Sequence, residues 1–181
     1  MWDLYSKACT PLSWQKELFS YSRKIGINCF SSPFDEECVD LLEKINCPMY
    51  KVASFEMTDI PLIKKISKTR KPIIISTGLS DIKEIEKTVN IARNNGANEI
   101  ALLYCVSSYP DKLSYFNLNN IKVLKEKFKI CTIGLSDHSL NDDVAKIAVS
   151  LGAKIIEKHI ALENQKVGLD INFSLKGKKI K

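Results

Sequence analysis

The chain has 181 residues, 45% hydrophobic and 27% charged, the balance of a globular domain with a core rather than of a collagen-like, low-complexity or disordered chain. The net charge is +6, yet only Arg23, Arg70 and Arg93 of the 27 basic residues are Arg, and the lysines are scattered, densest in the tail at Lys176, Lys178, Lys179 and Lys181. That distribution reads as solvated surface with a bias toward anionic small molecules, not as a nucleic-acid face, and no apolar run approaches the roughly 20 residues of a membrane helix.

In chain order, the first strand is expected at Ile27–Phe30. Asp35 then opens a helix whose apolar positions are Val39, Leu41, Leu42 and Ile45. A second strand follows at Met49–Ala53. Thr58 and Asp59 precede a helix with Ile60, Leu62, Ile63 and Ile66 apolar, and Pro61 suits its first turn. The third strand is Pro72–Ser76. Ser80 and Asp81 cap the next helix, with Glu84 placed for a capping box, Ile82, Ile85, Val89 and Ala92 on one face, and Gly96 at the end. Glu99–Val106 and Ile130–Leu135 read as strands. Asn141 leads a helix through Val144, Ile147, Ala148 and Leu151, closed by Gly152, and Lys154–Lys158 is the sixth strand.

The strand centres are separated by 21, 24, 28, 31 and 23 residues, about one strand–helix unit each. Each run is apolar at nearly every residue, as in strands covered on both faces. The alternation predicts a parallel sheet with right-handed crossovers. A doubly wound sheet and a (β/α) barrel both fit. No GxGxxG follows an early strand, whereas polar residues cluster after nearly every strand, which is the barrel habit. A whole barrel needs eight strands and about 250 residues. With six strands, either two units are missing on the N-terminal side or the sheet is not closed.

Cysteines stand at 9, 29, 38, 47, 105 and 131, with no CxxC pair. They read as reduced thiols, and with no secretory h-region behind Met1, a cytoplasmic setting is expected. The two histidines, His138 and His159, each end a predicted strand, where adjacent strands would bring both rings to one mouth as divalent-metal ligands; satisfied loop histidines are the competing reading. Glu56 follows a strand and suits either acid–base work or a helix cap. Lys51 lies inside an apolar strand, an unusual place for a charge. With the hydroxyls of Ser54, Ser76, Thr77, Ser107, Ser108 and Ser136 it could hold a phosphate; any one such serine is more often a turn former, and it is their recurrence at successive strand ends that favours the phosphate. Lys51 would also suit a Schiff-base aldolase. No GxSxG elbow supports a serine hydrolase.

Six segments, Phe30-Ser-Ser-Pro-Phe-Asp35, Tyr50-Lys-Val-Ala-Ser-Phe-Glu56, Ile75-Ser-Thr-Gly78, Cys105-Val-Ser-Ser-Tyr-Pro110, Gly134-Leu-Ser-Asp-His138 and Glu157-Lys-His159, resemble in order and spacing the N-acetylneuraminate (sialic acid) synthase family. Within that family the chain looks most like the pseudaminic acid synthases, with legionaminic acid synthases also similar. The resemblance implies a TIM barrel that condenses phosphoenolpyruvate with an N-acylated amino sugar to a nine-carbon 2-keto sugar acid, using Mn²⁺ or a similar divalent ion. It implies His138 and His159 as metal ligands, Lys51, Ser54, Ser76, Ser107 and Ser136, with Ser32 in addition, around phosphoenolpyruvate, Glu56 as the acid–base group, and Tyr109 on the sugar side.

Relative to the family, two N-terminal strand–helix units, carrying a Glu and a Lys of the phosphoenolpyruvate site, lie outside this sequence. So does the antifreeze-like domain, which supplies an Arg to a partner protomer; a homo-oligomer is expected of the full-length family. The fold expected for residues 1–175 is therefore an incomplete (β/α) barrel of about six of eight units, with a basic tail at 176–181. A non-catalytic domain that complements a partner chain is the alternative to a synthase.

Overall fold

The computed structural model describes residues 9–108 and 113–177. Helices α1 (Leu12–Lys24) and α2 (Glu36–Lys44) lead into strand β1 (Tyr50–Val52), a 3₁₀ turn (Glu56–Thr58) and α3 (Ile60–Lys68). Strand β2 (Ile73–Ser76), α4 (Ile82–Asn94), β3 (Ile100–Cys105), α5 (Asn120–Lys127), β4 (Thr132–Asp137), α6 (Asp142–Ser150) and β5 (Ile155–Lys158) follow. A short pair, β6 (Ile160–Ala161) and β7 (Leu175–Lys176), brackets a 3₁₀ turn at Ile171–Phe173.

The helices begin where short polar side chains replace the missing backbone partners of the first turn. Asp35, Asp59 and Asn141 each accept a hydrogen bond from a backbone N–H of the turn they open. Asp81 and Glu84 form the reciprocal capping box. The bond from Cys38 N–H holds the Asp35 carboxyl below its usual range. Gly96 and Gly152, at φ +111° and +105°, follow α4 and α6 in a conformation that disfavours a Cβ. No helix among the described residues is long and apolar enough to cross a membrane.

The large sheet has the order β1-β2-β3-β4-β5 with every neighbouring pair parallel. A doubly wound sheet reverses its strand order at a switch point. Here the order never reverses, so the chain winds in one direction, as in an arc of a (β/α) barrel. Side chains alternate between faces along each strand. Tyr50, Val52, Ile73, Ile75, Leu102 and Leu135 join one core with buried residues of the helices. The registers Lys51↔Ile74, Cys105↔Ser136 and Ser136↔Glu157 place the intervening residues together on the other, concave face.

The first of the six expected runs differs. Ile27–Phe30 is not a strand, and only Ser31 bridges to Tyr50, with Lys51 N–H donating to Ser31 O. Ile27 is exposed and Phe30 borders on it, so this edge segment lacks the second apolar cover that a buried strand needs. The fifth expected run is shifted two residues, to Thr132–Asp137, leaving exposed Ile130 outside. Ser136 and Asp137 therefore sit within β4 rather than after it. The helices α1 and α5 bury little, Phe19 with Ser22 and Ile121 with Leu124, and their weak apolar patterns leave both unassigned in the sequence reading.

Gly134 on β4 is required by close approach. A Cβ there would lie 2.5 Å from Ile155 O and 2.6 Å from Leu103 Cδ2. Gly134→Ala is expected to lower the unfolding free energy by about 1–3 kcal/mol through overpacking. Urea titration reads the difference; an unchanged midpoint would show that β4 and β5 separate at no cost.

Candidate active site at the carboxyl ends of the strands

Lys51 projects from β1 onto the concave face and is only 8% exposed. Its Nζ donates to Ser76 Oγ at 2.8 Å and to Val52 O at 3.0 Å, and stands 3.9 Å from Glu157 Oε2. Burial lowers its pKa, while the charges of Glu157, Cys105 and Glu56 work in the opposite sense. On the far side of the arc Ser136 Oγ donates to Glu157 Oε1 at 2.6 Å. A polar network thus runs from β1 and β2 to β4 and β5 across the concavity.

A second cluster lies beside it. Gly78 N–H donates to Ser54 Oγ at 3.2 Å; Ser54 Oγ is 3.2 Å from Cys105 Sγ, which is 3.8 Å from Ser107 Oγ. A Cβ at Gly78 would come within 2.5 Å of Cys105 Sγ and nearer still to Ser107 Oγ. Only glycine lets the backbone close this cradle. Ser32 is half-buried beside the start of β1 and joins neither group. Tyr109, like the tail lysines Lys178, Lys179 and Lys181, lies outside the described residues.

Glu56 opens the 3₁₀ turn after β1. Its Oε2 is buried and has no hydrogen-bond partner among the described residues. Burial raises its pKa, opposed by its own backbone and by the Lys51 charge. It does not cap α3; Asp59 does, which leaves its carboxyl available for proton transfer.

His138 directly follows β4 and His159 directly follows β5, neighbouring strands. Their ring centroids are 5.2 Å apart at an interplanar angle of 50°. His138 is buried and His159 half-buried. Phe173 packs edge-on against both rings, at 6.0 Å from His138 and 5.0 Å from His159. His159 Nδ1 is 3.1 Å from Asp170 Oδ2. On the opposite face Asp137, fully buried, meets Lys158 at 2.6 Å, and both bond the Ser139 backbone.

Among the described residues no group of three or more His, Cys, Asp or Glu side chains gathers as a metal cage. The donor set is two imidazoles at open strand ends. That set fits a divalent ion that takes two protein nitrogens and fills its other positions from water or substrate. Glu157 belongs to a family-like segment with no role expected of it, although as a charge within an apolar strand it carries the same signal that marks Lys51. Gly78 stands in a family-like segment, but its role, like those of Asp170 and Phe173, comes only from its folded neighbours.

The NeuB family model matches residues 1–181. A pseudaminic acid synthase of Helicobacter pylori is 43% identical over 175 residues, 97% of this chain and 51% of that protein. An N,N'-diacetyllegionaminic acid synthase of Campylobacter jejuni is 40% identical over 181 residues, 99% of this chain and 54% of that protein. The crystal structure of an N-acetylneuraminic acid synthetase of Leptospira borgpetersenii, in complex with citrate, is similar with a TM-score of 0.88 and 33% identity, over 93% of this chain and 59% of that one. The chain spans about half the length of the curated relatives it matches.

The depressed pKa of Lys51 works against folding. A lysine whose folded pKa is depressed binds fewer protons folded than unfolded, so it opposes folding below its ordinary value of 10.5. Glu157 would keep its Ser136 donor and a 35% exposed side chain if the ammonium were removed. Lys51→Met is therefore expected to melt at or above the wild-type temperature at pH 7, the advantage narrowing toward pH 10.5. A clear drop in melting temperature at pH 7 would make Lys51 a structural tie instead.

Proposed function

Because this chain belongs to the NeuB family, we propose that it is the part of a (β/α)-barrel synthase that joins phosphoenolpyruvate to an N-acylated amino sugar, releasing phosphate and forming a nine-carbon 2-keto sugar acid. The observation that carries this reading is the gathering at the carboxyl ends of the strands of a buried ammonium, a row of hydroxyls, a carboxylate oxygen without a partner among the described residues and two converging imidazoles. An anionic substrate beside an aldehyde needs that combination.

In this reading Lys51, Ser54, Ser76, Ser107 and Ser136 surround the phosphate and carboxylate of phosphoenolpyruvate, with Ser32 at their border and Tyr109 on the sugar side. The ammonium supplies charge, and the hydroxyls donate hydrogen bonds that shorten to anionic oxygen. His138 and His159 would hold Mn²⁺ or a similar ion, which when bound would polarise the sugar aldehyde as a Lewis acid. C3 of phosphoenolpyruvate bonds to the aldehyde carbon, whose oxygen gains a proton. Water adds at C2 and gives up a proton; the C2–O bond to phosphate then breaks as the remaining C2 hydroxyl loses its proton to the departing phosphate, leaving the 2-keto group. Glu56, with a pKa raised by burial, suits the first two proton movements at these carbons. Six cysteines without a disulfide among the described residues suit a reducing cytoplasm.

A second reading rests on the open arc. The outer edges of β5 and of the Ser31 segment carry no further strand among the described residues. Exposed edges are normally covered. In this reading the chain contributes its strands to a barrel completed by another polypeptide, and it is inactive alone.

Phosphate release from phosphoenolpyruvate with Mn²⁺ and a panel of N-acylated amino sugars tests the first reading; no release with any acceptor from a preparation with a complete barrel would overturn it. In an active preparation Glu56→Gln is expected to cut kcat by about 10²–10⁴-fold. The same change removes a carboxylate that opposes folding as pH rises through its ordinary value of 4.5, so the variant should be no less stable at neutral pH. Near-normal turnover would return Glu56 to a purely local role in its turn.

A further inference from the structure

We propose that Asp170 is a positioning residue for His159, fixing which ring nitrogen carries the proton; the consequence for metal binding rests on the synthase reading above. Three tethers bind residues 170–175, which lead into β7, to this one histidine. Leu175 N–H donates to His159 O at 2.8 Å, the backbone tie that opens the β6–β7 pairing at Ile160↔Leu175. Phe173 packs edge-on against the ring. Asp170 Oδ2 stands 3.1 Å from Nδ1.

Asp170 is itself held in place although its side chain is half in solvent. Its carbonyl accepts from Phe173 N–H at 3.2 Å and from Ser174 Oγ at 2.7 Å, so it anchors the 3₁₀ turn that presents Phe173. Gly168, at φ +152°, and the Gln165 side chain, bonded to Leu162 N–H and Val167 O, shape the approach.

The chemistry follows from donor counting. A neutral imidazole has one N–H and one lone pair, and a carboxylate only accepts. With Asp170 at Nδ1, the proton sits on Nδ1 and the lone pair on Nε2. An imidazole that ligates a metal uses its second nitrogen in this manner, and loss of the outer carboxylate typically costs about 10–100-fold in metal affinity. Asp170 thus sets the tautomer of His159 before any ion arrives, and ties the ligand to a loop reached only after β6.

The sequence has two histidines, so ¹⁵N-histidine labelling of the chain, with any purification tag removed, gives two imidazole spin systems, assigned with His138→Ala. The metal-free wild type is expected to show His159 as the Nδ1–H tautomer. Asp170→Ala should shift His159 toward Nε2–H with unchanged far-UV circular dichroism, and weaken Mn²⁺ binding by calorimetry about 10–100-fold. Asp170→Asn keeps an acceptor oxygen and should retain the tautomer with an intermediate affinity. An unchanged tautomer and Mn²⁺ affinity in Asp170→Ala overturns the proposal. Equal losses in the Asn and Ala variants with the wild-type tautomer in both also overturn it, because the carboxylate would then act by charge alone. A wild type that shows the Nδ1–H tautomer but binds no Mn²⁺ supports the hold on His159 and overturns the metal reading.

Discussion

Lys51 Nζ and Glu157 Oε2 are 3.9 Å apart although β1 and β5 stand at the two ends of the strand order. Strands in a sheet are spaced about 4.8 Å, so a flat sheet would separate β1 from β5 by about 19 Å, more than a lysine and a glutamate reach together. The sheet must curve. One-way winding with an apolar helix layer on one face demands that curvature, and it turns the other face into a concavity. Every polar group of the candidate site that lies on a strand projects into that concavity, because pleat alternation assigns the intervening residues to the helix layer.

The concavity and the helix layer solve opposite electrostatic problems. Toward the helices the strand side chains are aliphatic or aromatic apart from the Asp137–Lys158 pair at the strand ends, and burial stabilises the apolar ones. Toward the concavity, burial works against charge: it lowers the pKa of Lys51 and raises that of Glu56. Each is partly restored by the other's field. Such opposed shifts in one cleft are what proton transfer and anion binding use, and each works against folding near neutral pH.

The alternation of strands and helices is legible in the sequence because strands covered on both faces are apolar throughout, and because Asp35, Asp59, Asp81 and Asn141 signal helix starts by local hydrogen bonding. Local signals fail where a neighbour decides. Ile27–Phe30 has strand composition but no second cover, so it pairs only at Ser31. β4 extends to Asp137 because Lys158 on β5 gives that carboxylate a partner. The histidine pair is legible from position alone, since strand ends one unit apart are adjacent in a barrel. Asp170 and Phe173 are not, because they reach the pair through a loop whose path no periodicity describes. Gly78 and Gly134 are legible as glycines but not as necessities until Cys105, Ser107, Leu103 and Ile155 stand around them.

The residue before each histidine explains how the two rings keep their separation. Asp137 and Lys158 are register partners on β4 and β5, and they form a buried ion pair on the face away from the rings. A buried carboxylate is costly unless paired and hydrogen-bonded, and Asp137 meets both conditions through Lys158 and Ser139. Side chains alternate with a period of two, so slipping β5 by one residue against β4 would aim Lys158 into the concavity and His159 into the helix side. It would also leave Asp137 buried without its cation. The penalty for that orphaned charge therefore protects the register on which the convergence of His138 and His159 depends, so that a buried ion pair on one face sets the geometry of the two rings on the other.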